Sequence, residues 1–420
     1  MRPTIAGQSL NRRFNDTVEG MTTDIKDAVH AVEAEAVMRL LRGRPRLLAL
    51  GEPTHNEDAL LRLRNDLFRQ LVEQEGYRTI AIESDCLAGL LVDAYVTGGD
   101  GQLEEVVRNG ISHDWGTLDG NRELVRWMRA HNEGRPPAEH VRFAGFDGPL
   151  ETAYAASPRQ ALTALHRHLA ARLDADQLPC DEATLDRLLG DDDRWTNPAA
   201  MMDPTQSVGR SAEAAQLRLI ADDLAALLDA HAPESVATVP PDDRFRARLH
   251  ARTATGLLLY HHWYADTSTG RLTRLVGLRG QMMVRNLLAL AERDPTLVHA
   301  HNSHLQREKS TVRMGEVRLE WWSAGALASA ELGADYRFVA TALGTIRHQG
   351  VDTPPPDTLE GLLYALPEDR CVVDPARLAA ALGDVRPAHR VSPWFGYASF
   401  DPAHLADSDG IVFLKDSVRG

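Results

Sequence analysis

Leu47-Leu-Ala-Leu-Gly-Glu-Pro-Thr-His55 is the stretch on which the reading of the fold turns. Four apolar residues in a row, entered from the Gly43-Arg-Pro45 break and left through Gly51, have the pattern of a strand buried on both faces, as in parallel sheets. The unit recurs downstream. A helical stretch over Asp58 to Gln74 stops at Gly76, and Thr79-Ile-Ala-Ile82 makes a second buried run. Helical stretches over Leu87 to Tyr95 and Gly120 to Asn132 lead to a third, Val141 to Phe146. Strands alternating with helices imply βαβ crossovers and a mostly parallel sheet. Right-handed crossovers place the strand C-termini on one edge, where open α/β sheets bind ligands.

Upstream, Asp24 to Arg42 spaces Ile25, Val29, Val32, Val37 and Leu40 as an amphipathic helix, and residues 1–20 read as a loose polar extension. Met21 could be the natural start. Between residues 151 and 293 the pattern changes. Arg159 to Leu173, Ser211 to Ala230 and Asp243 to Tyr264 are helical with no strand between them, interrupted by the Trp195–Pro204 segment. The sheet resumes at Leu297–Ala300, Tyr336–Thr341 and Gly410–Leu414, with Asp352–Pro356 as a linker loop. The expected fold is α/β: a mostly parallel central sheet flanked by helices, with a large helical insertion (151–293) forming a cleft or lid between two parts of one core, 21–150 and 294–420.

The 420 residues, 43 % hydrophobic and 25 % charged, suit a soluble chain with a large core. With 46 basic and 60 acidic residues the net charge is −14, which opposes binding to nucleic acid or anionic membranes. Cys86, Cys180 and Cys371 form no Cys-x-x-Cys spacing and fit a reducing compartment. No apolar run approaches the ~20 residues of a membrane helix, and the first twenty residues lack a signal peptide's apolar stretch. A cytoplasmic protein with a small-molecule substrate is expected, as a monomer or small homo-oligomer.

Polar residues gather where the strands end. The first runs into Glu52 and His55, the second into Glu83, and the fourth into His299-Ala-His301-Asn302-Ser-His304. A turn cap (Thr54, for instance), a strand exiting to solvent or loop histidines would each explain one such end. Recurrence at three strand ends favours a site. A histidine held by a carboxylate can activate water as a general base, and a second imidazole or a cation can meet the oxyanion. His-x-His and His-x-x-His are also metal-ligand spacings. There is no Gly-x-Ser-x-Gly, no P-loop and no convincing Gly-x-Gly-x-x-Gly.

These residues resemble the erythromycin esterase family. The likeness runs through Leu48-Ala-Leu-Gly51-Glu52-x-Thr54-His55, Arg62-Leu-Arg64, and Leu71-Val-Glu-x-x-Gly76 onward to Glu83. It continues in Trp115-x-Thr117, Leu124 to Asn132, and Phe143-Ala-Gly-Phe-Asp147. Arg279 with Met283 and Asn286, His301-Asn302-x-His304, and Gly333-Ala-Asp-Tyr336 complete it. The resemblance implies an α/β core with a helical insertion and a deep cleft at the strand C-terminal edge. It implies that His55 is the water-activating base, with no obligatory metal or other cofactor. Glu52 and Glu83 would position the base and water, Arg64 would be the basic residue of the first helix, and His301 and His304 would contact substrate and oxyanion. The chain departs from the family pattern in three places: Asn56-Glu57 replaces Gly-Thr, Gly280 replaces the Asp after Arg279, and the Gln beyond Asp147 is missing.

The expected activity is hydrolysis of a bulky carboxylic ester or lactone by His55-activated water, without a covalent intermediate. Three rivals use the same residues differently: a natural-product enzyme catalysing cyclisation, elimination or acyl transfer, a metal-dependent hydrolase, and a non-catalytic binding protein. Asn302, Arg279, Trp115 and Asp147 are expected to bind substrate, with Trp195 and Trp263 as apolar walls supplied by the insertion. His261-His262 reads as helix packing or cleft lining, Trp321-Trp322 as helical, Met201-Met202 as an apolar wall, and Cys86 as a buried structural thiol.

Overall fold

In chain order, the strands are Val29–His30 (β1), Leu47–Glu52 (β2), Thr79–Asp85 (β3), Arg142–Asp147 (β4), Thr296–His301 (β5), Ser310–Met314 (β6), Val317–Trp321 (β7), Tyr336–Thr345 (β8), Arg370–Val373 (β9) and Gly410–Asp416 (β10). The computed structural model describes residues 25–417 apart from 42, 152, 153, 315, 393 and 395, so the expected extension over 1–20 lies outside the described residues. Eight strands form one sheet in the order β1-β9-β10-β8-β2-β5-β3-β4. From β10 to β4 every pair is parallel, and β9 and β1 add an antiparallel edge. Helices cover both faces, so the fold is α/β with a mostly parallel central sheet.

Alternation along β2 divides its side chains between two apolar layers. Leu47 and Ala49 join Val298, Phe338 and Leu287 on one face, while Leu48 and Leu50 join Phe68, Ile80 and Leu297 on the other. Burial on both faces is why β2 reads as an unbroken apolar run. The order also explains the site. β5, from the second half of the chain, inserts between β2 and β3, so Glu52 is the register partner of His301 and Ile82 of His299. The β3–β4 register slips between Ile82 and Asp85, a local irregularity that re-aims Glu83 at the strand's end.

The segment from 151 to 293 is helical, with principal helices Arg159–Ala170, Glu182–Leu189, Ala212–Ala230, Pro241–Tyr264 and Arg271–Ala291. It carries a core of its own, including Leu162, Leu165, Leu188, Trp195, Leu217, Leu224 and Leu258, against which Cys86 and Leu87 pack from just beyond β3.

Three local expectations differ, and one strand is additional. The first expected helix is broken: Ile25 and Lys26 are helical and Ala34–Leu41 is a helix, but between them Val29 and His30 pair antiparallel with Val373 and Val372. Trp321 ends β7 in a hairpin with β6, leaving Trp322 exposed beneath the Lys309 ammonium. Arg370–Val373 is a strand where no expectation had been formed. Thr54 caps nothing: its hydroxyl bonds the His55 carbonyl, and the helix Asp58–Glu75 starts from Glu57 without a side-chain cap.

Candidate active site

The C-terminal ends of β2, β3, β4 and β5 bring Glu52, Glu83, Asp147 and His301 to one edge. His55, three residues beyond β2, donates its Nδ1 proton to Glu52 Oε1 at 2.7 Å. That bond fixes the ring and leaves Nε2 available. Glu52 is 5 % exposed, and its other oxygen has no hydrogen-bond partner, standing 3.6 Å from His299 Nε2. His55 remains about a third exposed. Burial lowers its pKa, but the Glu83 charge and the bond and charge of Glu52 together raise it above its ordinary value.

Glu83 collects the rest of the site. Its Oε1 accepts from Arg279 Nη2 at 2.8 Å and lies 3.2 Å from His304 Nε2, and its Oε2 accepts the His301 backbone N–H at 3.0 Å. Burial pushes the carboxyl up, yet His304, His55 and Arg279 together hold it well below the usual carboxylate range. Arg279 reaches onward to Asp147 Oδ2 from Nε (2.9 Å) and Nη2 (2.6 Å). Two carboxylates on one guanidinium hold Arg279 charged, its pKa raised despite burial.

Two neighbouring imidazoles are kept neutral. Burial, with the charges of Arg64 and His55, pulls His299 well below its ordinary value. Burial and repulsion from His55 and His304 pull His301 down to about 3. His301 packs 5.3 Å from His55, ring to ring. Its Nδ1 accepts from Ser303, and it bonds the Pro53 backbone as well, so the ring serves as an oriented wall. His304 Nδ1 is buried and has no hydrogen-bond partner among the described residues. Arg64 is 1 % exposed and bonds Asn65 and Asn121; burial pulls it down to about 10, and its charge reaches Glu52 and His299 through space.

Several sequence-expected binding residues are placed otherwise. Asn302 is spent on the scaffold: its amide donates to the Thr341 carbonyl and accepts the Thr341 N–H, tying β5 to β8. This explains Gly51, where a Cβ would stand 2.0 Å from Asn302 Oδ1. Asp147 is fully buried, with one oxygen on Gly148 N–H and the other on Arg279, so it holds Arg279 and has no surface for a ligand. Trp195 is 4 % exposed within the insertion's core, its indole N–H bonded to the Leu189 carbonyl. Trp263 carries two arginines against its ring, with Arg274 3.8 Å and Arg210 5.6 Å from its ring centre. Trp115 does stand at the site, its ring 4.6 Å from His55.

The departures from the family pattern have physical readings. Asn56 sits at φ 66°, a left-handed conformation that asparagine tolerates where glycine is otherwise preferred. Glu57 is buried and accepts from His348 Nε2 (3.0 Å) and the Ser417 hydroxyl, tying the His55 turn to the C-terminal strands. A Cβ at Gly148 would lie 2.5 Å from Met282 Cε, and one at Gly280 3.1 Å from the Trp322 carbonyl, so neighbours fill both places.

The strand-end rule missed one further pair. His113 Nδ1 donates to Glu151 Oε2 at 2.7 Å, and the His113 ring lies 4.9 Å from Trp115. His113 belongs to a loop between helices, and Glu151 lies four residues past β4. A search of several residues beyond each strand would have found Glu151, though not its partner. Among the described residues, no group of three or more His, Cys, Asp or Glu side chains converges as metal donors, and no helix is long and apolar enough to cross a membrane.

The erythromycin esterase family model matches residues 72–417, taking in Glu83, Asp147, Arg279, His301 and His304 and starting beyond His55. A Bacillus cereus protein of solved structure superposes with a TM-score of 0.69 at 15 % identity, covering 94 % of this chain and 97 % of its own. A succinoglycan biosynthesis protein does so with 0.69 at 16 %, covering 94 % and 96 %. A histidine-to-asparagine variant of erythromycin esterase EreC, in its open conformation, gives 0.60 at 18 %, covering 91 % and 93 %. At these identities the likeness is one of fold.

Proposed function

The chain belongs to the erythromycin esterase family, and we propose that it is a carboxylic-ester hydrolase in which His55 activates water directly, with no covalent intermediate and no metal. One observation carries this reading. The 2.7 Å bond from His55 Nδ1 to a buried carboxylate leaves Nε2 as the proton acceptor of a half-exposed ring. Neutral His55 takes a proton from water as the oxygen attacks the carbonyl carbon. Glu52 then faces the new imidazolium, and the Glu83 charge stabilises it further. Arg279, held between Glu83 and Asp147, is the fixed cation nearest this chemistry and meets the developing oxyanion, with His304 beside it on Glu83. Half-exposed Trp115 beside His55 suits a bulky, partly apolar ester or lactone.

The test is turnover of an ester and lactone panel in oxygen-18 water, before and after exhaustive chelation. The expected product carries one labelled oxygen in its carboxylate, and activity survives chelation. An unlabelled rearranged product would make the chain a cyclising or acyl-transfer enzyme on the same residues. Loss of activity restored by zinc would make it a metal-dependent hydrolase.

A further inference from the structure

The His113–Glu151 pair repeats the His55–Glu52 geometry, with an Nδ1-to-carboxylate distance of 2.7 Å in each. Both imidazoles lie against the same indole: Trp115 is 4.6 Å from His55 and 4.9 Å from His113 between ring centres. The two rings therefore stand no further apart than the sum of those separations. His113 is anchored beside Glu83. The preceding residue, Ser112, bonds Ser84 through both its hydroxyl (3.1 Å) and its backbone N–H (2.9 Å), and its hydroxyl accepts the Asp85 N–H at 3.0 Å.

The backbone there is strained. His113 and the following Asp114 hold φ values of 60° and 59°, two consecutive non-glycine residues in the left-handed region. Side chains of L-residues rarely adopt this conformation, and such strain gathers where a side chain must be aimed. The turn aims His113 at Glu151 and Trp115 while leaving its side chain 16 % exposed. As in His55, Nδ1 is committed to a carboxylate and Nε2 is left for chemistry.

We propose that His113 is the general acid of the reaction, delivering a proton to the alkoxide that leaves when the ester bond breaks. This rests on the hydrolase reading above. His55 takes one proton from water as the water oxygen bonds the carbonyl carbon, giving a tetrahedral oxyanion. Collapse breaks the bond to the leaving oxygen, which keeps the electron pair and takes the Nε2 proton of the His113 imidazolium. The carboxylic acid formed returns a proton to neutral His113, and His55 releases its proton to solvent. The sum is ester plus water giving carboxylate, alcohol and one proton. Glu151 orients the His113 ring and is a positioning residue.

The experiment compares alkyl esters, whose leaving alkoxide needs a proton, with p-nitrophenyl esters of the same acid, whose leaving phenolate does not. His113→Asn should lower kcat on alkyl esters by about 10²–10³, within the range of general acid catalysis, and on p-nitrophenyl esters by less than about threefold. Glu151→Gln should show the same selectivity with a smaller loss, and it carries the test if the asparagine variant does not fold. Equal losses on both ester classes would reduce the pair to a structural latch, and no loss on either would remove it from the reaction; both overturn the proposal. A wild-type protein that hydrolyses neither class would overturn the hydrolase reading instead.

Discussion

The strand-end cluster and the helical insertion are built from the same residue types and use them oppositely. His55 is half-exposed and bonded to a carboxylate, and the surrounding charges raise its pKa. His261, in the insertion, is fully buried against Trp195 and Tyr264, bonds the Ala156 carbonyl, and is pulled down to about 4 by burial. Trp115 lies beside a candidate base, whereas Trp195 fills a core and satisfies its N–H on Leu189. Residue type thus says little; what the polar atom bonds, and whether it is left open, separates chemistry from packing.

The sharpest break between the regions should come from His55→Ala. Turnover is expected to fall by about two to four powers of ten, the range of general acid–base catalysis, with the thermal midpoint little changed. Near wild-type turnover in that variant would take His55 out of the mechanism.

Trp195→Ala should do the reverse. Truncating a buried tryptophan costs about 3–5 kcal/mol, read as a lower denaturation midpoint, while kcat and KM of the folded fraction stay within about twofold. A variant of unchanged stability but weakened binding of bulky esters would restore Trp195 to a substrate wall.

Much of this contrast was legible in the sequence, unevenly. The six parallel strands were visible because burial on both faces writes continuous apolar runs, and Glu52, Glu83 and His301 because charge directly after such a run is conspicuous. Val29–His30 and Arg370–Val373 were not visible, since strands of two and four residues carry too few side chains for a pattern. The burial of Trp195 in the insertion's core was not legible for a different reason. A helical insertion with its own core needs aromatic residues as much as a ligand wall does, and composition cannot separate the two. Asn302 shows a third kind of loss: its amide bonds both backbone groups of Thr341 on β8, two strands away in the sheet, a role that no local pattern writes.

The pH profile sharpens the comparison within the strand-end cluster. A general base works when neutral, so kcat/KM should rise with pH through a His55 pKa standing above the usual 6.5. The same shift stabilises the fold fully below pH 6.5, a contribution lost as pH rises through the folded value. Glu52→Gln removes one charge that favours the imidazolium, and should move the limb of the profile to lower pH while lowering its plateau. A limb that stays in place would mean that another group titrates there.

The smallest effect is expected at Trp263, where the regions are easiest to confuse. Its ring is half-buried and adjoins Tyr264 and Ala200 in a small apolar cluster, as a ligand wall would. Yet Arg274 stands 3.8 Å over the ring, and Arg210, bonded to Asp266, lies 5.6 Å away. A tryptophan face occupied by a guanidinium is closed to an apolar substrate, and removing it forfeits chiefly the cation–π contact. Such contacts are worth about 0.5–1 kcal/mol at accessible sites. Trp263→Ala should therefore lower stability by that much and leave KM for the bulkiest ester within about twofold. A KM rising several-fold with ester bulk, at unchanged kcat, would show that substrate displaces the arginines and that the insertion reaches the cleft through this ring.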